Sequence, residues 1–84
     1  MKRLIEESDY GLESLLGERV TLFCANYIYT GKLTGVNEKF VQLSDAAIVY
    51  ETGSFGDTAW KDAQPLPHDW YVMLQSVESW GILK

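Results

Sequence analysis

"GKLTGVNEKFVQL", residues 31–43, places two glycines, Gly31 and Gly35, inside a stretch that otherwise alternates as a β-strand does. Glycine has no side chain to pack and costs backbone entropy in a strand interior, so it marks a bend, a bulge or a close backbone approach. The stretch predicts a strand that curls over on itself, a polar corner at Asn37, Glu38 and Lys39, and a third strand starting at Phe40.

The same period extends outward on both sides. Val20, Leu22 and Cys24 alternate with Arg19, Thr21 and Phe23, Ala25 and Asn26 supply a turn, and the next segment is rich in aromatic and β-branched residues. These features predict antiparallel strands over about 19–25 and 27–36, with the third strand running over about 40–51 through "AIVYE". On the N-terminal side, Leu12, Leu15 and Leu16 follow possible caps at Ser8 or Asp9 and precede Gly17. That spacing predicts a short α-helix over about 9–16. Residues 52–68 hold glycines, prolines and no sustained period, and read as a loop packed through Phe55 and Trp60. "WYVMLQSV" and "ESWGIL" predict a fourth and a fifth strand over about 69–76 and 79–83. The expected fold is mainly β: one domain over residues 1–84, in which a short N-terminal helix precedes a strongly bent five-stranded antiparallel sheet forming a small open barrel.

Composition narrows the function classes. The chain of 84 residues carries a net charge of −5 with its acidic residues scattered, so any nucleic-acid site must be local rather than a whole basic face. The apolar runs are too short to span a bilayer, and acidic residues interrupt the N-terminal segment where a signal peptide needs an apolar region. The expectation is a cytoplasmic protein with no membrane partner. Cys24 is the sole cysteine and reads as a small buried hydrophobe. His68 is the sole histidine, and with Asp57, Asp62 and Asp69 it meets no metal-ligand spacing. No nucleophile motif and no phosphate-cradling glycine pattern occurs, so neither an enzyme nor a cofactor is expected.

"ERVTLFCANYIYTGKLTGVNEKFVQL" resembles the first motif of the Sm and Sm-like (LSm) family, with Val20, Leu22, Gly31, Leu33, Asn37 and Leu43 at corresponding places. The corner followed by Phe-Val is most similar to the bacterial host-factor branch of RNA chaperones. The likeness covers about the first 50 residues. In the second motif the family has a basic or imidazole residue where this chain has "LQSVES" and Gln75, and residues 52–69 have no counterpart in compact members.

The resemblance implies an SH3-like barrel of the Sm type that assembles into a homo-oligomeric ring and binds single-stranded RNA at its pore. Unpaired edges on the fourth and fifth strands favour such self-association independently, since pairing one with the other in a neighbouring copy satisfies both. Carried over by position, the RNA contacts are Asn37, Lys39, Phe40 and Gln75, with Lys39 or Phe40 as stacking platform and Gln75 in place of the basic contact. Each has a simpler alternative: a turn residue at Asn37, a solvated lysine, a core phenylalanine, an exposed strand glutamine. Val41 stands where many Sm proteins carry an asparagine, as it does in the host-factor branch. Tyr27 and Tyr29 share one strand face and suit an interface better than base stacking.

Two further readings stay open. In one, the ring is a structural or protein-binding scaffold that has weakened or lost RNA binding, with the 52–69 segment as its partner surface. In the other, the chain is a monomeric SH3-like barrel that binds peptides.

Overall fold

A computed structural model describes residues 3–5, 11–57 and 59–83. Among these, a 3-10 turn at Leu12–Leu15 precedes β1 (Arg19–Cys24), β2 (Ile28–Val36), β3 (Phe40–Glu51), β4 (Asp62–Pro65) and β5 (Trp70–Met73); a second 3-10 turn, Leu74–Ser76, leads into β6 (Val77–Gly81). All pairings are antiparallel, in the order β4-β3-β2-β1-β6, with β5 also on β3. The sheet is open.

Two expectations need correction. Where an α-helix over about 9–16 was expected, the described part of that range holds only the 3-10 turn, and the candidate caps Ser8 and Asp9 lie outside the described residues. Gly11 gives no side-chain cap, Leu16 is already non-helical, and Gly17 takes φ +91°, so too few residues remain to offset helix nucleation. Leu12 is nonetheless buried in the main core. The second correction is the strand number. The segment 52–68, expected as a loop, contributes β4, making six strands among the described residues rather than five. The expected strand 69–76 stops at Met73, and the last strand begins at Val77 rather than 79.

The geometry of β3 explains the extra strand. Its first part, Phe40 to Leu43, pairs with β5, and its last part, Ala47 to Glu51, pairs with β4 along the same edge. Between them Asp45 takes φ 50°, a left-handed conformation that Asp tolerates, and Arg19 donates to its carboxylate at 3.3 Å and its carbonyl at 3.0 Å. A strand bent this sharply is followed by two short partners more readily than by one straight one.

Both glycines of the opening stretch sit at irregularities of the β2–β3 ladder. The register shifts between Thr30 and Lys32 and again between Leu33 and Gly35. A Cβ on Gly31 would stand 3.1 Å from the Ala46 Cα and 3.1 Å from the Leu43 Cβ, so glycine there permits a close backbone approach.

Alternation divides the sheet into two faces. Val20, Leu22, Leu33, Val41, Leu43, Ala46 and Val72 form the main core with Leu12. Thr21, Thr30, Ala47 and Val49 are also buried but do not belong to that cluster. Their neighbour Phe23 is met by Phe55 from the 52–61 connection, with ring centroids 6.4 Å apart and an edge-to-face angle of 74°. The connection therefore reaches a second, smaller apolar layer on the outer face.

Candidate functional site

The β2–β3 corner is built by Asn37. Its Oδ1 accepts the backbone N–H groups of Lys39 and Phe40, both at 2.8 Å, while its own N–H donates to the Phe40 carbonyl at 3.0 Å. This turn uses the side-chain oxygen and keeps Asn37, Glu38 and Lys39 exposed at the tip. Asn37 is thus a turn residue in its own right, with its Nδ2 group outside the turn's hydrogen bonds.

Phe40 follows a different course. It is half-buried and meets Tyr71 edge to face, with centroids 5.7 Å apart. Strand alternation puts it on the side opposite Val41 and Leu43, beside Gln42, whose amide donates to Asp69 at 3.2 Å and to the Tyr71 hydroxyl at 3.1 Å. Phe40 holds β5 onto β3 through this packing.

The second corner comes from the 3-10 turn at Leu74–Ser76, which is drawn to the first by a backbone bond from Leu74 N–H to the Lys39 carbonyl at 2.8 Å. Lys39 and Gln75 then line one cleft of about 310 Å³ together with Glu38, Met73 and Leu74. Asn37 lies on an adjacent, larger cleft of about 580 Å³, formed with Leu12, Glu13, Val36, Glu38, Leu74, Trp80 and Gly11. Glu38 and Leu74 line both. Of the four residues singled out by sequence, Lys39 and Gln75 share one cleft, Asn37 lies on the adjoining one, and Phe40 packs elsewhere. Sequence reasoning missed Glu13 and Trp80, which the first turn and β6 bring to the corner only in three dimensions.

Electrostatically the paired clefts are mixed. Lys39 is the one cation lining them among the described residues, against the carboxylates of Glu13 and Glu38. Phosphate attraction is confined to the Lys39 side.

A separate aromatic group lies toward the β1–β2 turn. Tyr27 meets Tyr29 at 6.4 Å and Tyr50 at 6.2 Å, both edge to face. Burial pushes the Tyr29 hydroxyl pKa up, nearby Cys24, Tyr27 and Tyr50 add to the shift, and a hydrogen bond with Trp70 opposes it. Cys24 is half-buried, and burial followed by the nearby Glu78 carboxylate pushes its thiol up as well, away from the reactive thiolate form.

The sheet's outer edges are apolar. Within the described residues β5 pairs only with β3 and β6 only with β1, and Trp70, Tyr71, Met73, Trp80 and Ile82 are exposed along or just beyond them. Among the described residues, no three His, Cys, Asp or Glu side chains are grouped to hold a metal ion, and no helix is long and apolar enough to cross a membrane. Comparison with protein-family models, with curated proteins and with solved structures gave no match.

Proposed function

We propose that this chain is the subunit of an Sm-like homo-oligomeric ring in the cytoplasm that binds single-stranded RNA where its two corners meet. The observation that carries the reading is the Leu74–Lys39 backbone bond, which sets Lys39 and Gln75 on one cleft. Those are the positions at which the family resemblance expects a stacking or charged contact and its second-motif partner. Among the described residues β5 and β6 each pair on one side only, and these edges, with Trp70 and Tyr71 exposed on β5, suit pairing between copies. A long side chain such as Lys39 covers a base and meets a phosphate, whereas Gln75 supplies hydrogen bonds without charge.

The test has two readouts. Light scattering at micromolar concentration is expected to give a closed assembly of roughly five to eight subunits, and a clean monomer removes the ring. Titration of labelled oligonucleotides at low and moderate salt is expected to show binding that Lys39→Ala and Gln75→Ala weaken. Unchanged affinity in both variants removes this site.

A second reading, a ring kept as a protein-binding scaffold, is favoured by the carboxylates of Glu13 and Glu38 at the corner and by Phe55, which is 58% exposed. Since β4 belongs to the sheet, the informative change is Phe55→Ser rather than removal of the whole 52–69 segment. Loss of a captured protein partner with assembly intact would support the scaffold; unchanged capture would count against it.

A further inference from the structure

The larger of the two corner clefts offers an unusual set of groups for a nucleic-acid site. Asn37 presents an amide whose oxygen is already bound by two backbone N–H groups, which leaves the Nδ2 end as the available donor. Glu38 presents a carboxylate, an acceptor of two parallel hydrogen bonds. Trp80, 45% exposed, adds an indole ring to the lining, and Leu12, Val36 and Leu74 add apolar side chains. A donor and a bidentate acceptor on consecutive residues, on a cleft that an aromatic residue also lines, match one base edge above the others. Guanine carries the O6 acceptor next to the N1–H and N2–H donors, whereas uracil and adenine do not present that order.

We propose that this cleft takes a guanine base of single-stranded RNA, with the Glu38 carboxylate accepting from N1–H and N2–H, the Asn37 amide donating to O6 and Trp80 stacking on the ring. The inference rests on the RNA-binding reading above and gives it a sequence preference. It also resolves the mixed charge at the corner. The base enters the acidic side, where a phosphate is repelled, and the backbone passes over Lys39 in the neighbouring cleft. Glu38, which lines both, stands at the boundary between them. Glu13, also on the lining of this cleft, deepens the preference for donor-bearing groups.

The experiment measures fluorescence anisotropy of labelled six-nucleotide RNAs on the assembled protein: all-uridine, all-adenosine, a uridine strand with two separated guanosines, and the same strand with inosine, which lacks the N2 amino group. The guanosine strand is expected to bind at least about tenfold more tightly than the uridine strand, with inosine intermediate. Glu38→Gln is expected to abolish that preference, bringing the guanosine-to-uridine affinity ratio to about one whatever the change in overall affinity; Glu13→Gln is expected to lower the ratio less. Circular dichroism checks that the variants fold. Equal affinity for all four strands, or a guanosine preference that survives Glu38→Gln, overturns the guanine assignment while the RNA-binding reading stands. Absence of binding to every strand overturns both.

Discussion

The backbone N–H of Leu74 donates to the carbonyl of Lys39 at 2.8 Å, joining the 3-10 turn that follows β5 to the hairpin that precedes β3. This bond sets Gln75 beside Glu38 and Lys39, and the first 3-10 turn and β6 bring Glu13 and Trp80 to the adjoining cleft with Asn37 and Glu38. The pairing of Phe40 with Met73 in the adjoining ladder fixes the same corner from the other side.

The Asn37 turn predicts a sharp contrast between two substitutions. Asn37→Ala removes the acceptor of both 2.8 Å bonds and is expected to cost about 1–3 kcal/mol. Asn37→Asp keeps the acceptor and is expected to cost less than half as much. Urea unfolding with both variants checks this, and equal losses would detach the turn's stability from the side-chain oxygen.

Gly31 and Gly35 are expected to differ although both lie at register shifts. Alanine at Gly31 meets the Ala46 backbone and the Leu43 Cβ, neither of which can swing away, and is expected to destabilise by about 1–3 kcal/mol. Alanine at Gly35 meets the Gln42 Oε1 at 3.1 Å, the end of a flexible side chain, and is expected to cost under about 1 kcal/mol. Denaturant midpoints rank the two directly.

Thr21 and Thr30 are cross-strand neighbours with opposite expectations. Thr30 Oγ1 donates to the Val20 carbonyl at 3.1 Å, whereas among the described residues the buried Thr21 Oγ1 has no hydrogen-bond partner. Thr21→Val replaces an unsatisfied hydroxyl with a methyl of similar volume and is expected to stabilise by about 1 kcal/mol. Thr30→Val is expected to lose a similar amount. Thermal unfolding that moves the same way in both would contradict the assignment.

Alkaline pH should weaken the fold. Cys24 and Tyr29 have pKa values raised above their ordinary 9.0 and 10.0 in the folded chain, chiefly by burial, so the neutral forms are favoured there. Their contribution is whole below the unfolded values. As pH rises past 9.0 and then 10.0, the unfolded chain deprotonates first, and stability falls until the folded groups titrate too. Unfolding free energies between pH ~7 and ~11 are expected to decline less steeply in Cys24→Ala with Tyr29→Phe than in the parent. Parallel curves would assign the decline to other groups.

Much of the chain's local grammar is legible without coordinates. The alternation from Val20 to Cys24 marks β1, the paired glycines mark irregular β2, and Asn-Glu-Lys marks the corner, because strand period and turn chemistry act over a few neighbouring residues. The leucine spacing at 12, 15 and 16 misleads, since an apolar stripe specifies burial, and a four-residue 3-10 turn between Gly11 and Gly17 buries Leu12 without forming an α-helix. β4 escapes notice because its four residues acquire strand geometry only by pairing with the far half of β3. The grouping of Asn37 and Glu38 with Glu13 and Trp80, and the turning of Phe40 away toward Tyr71, have no sequence signature. The sequence alone determines which residues can bend, turn and bury. Tertiary structure decides which of them meet, because antiparallel pairing across the sheet and the Leu74–Lys39 bond bring segments far apart in the chain to one corner.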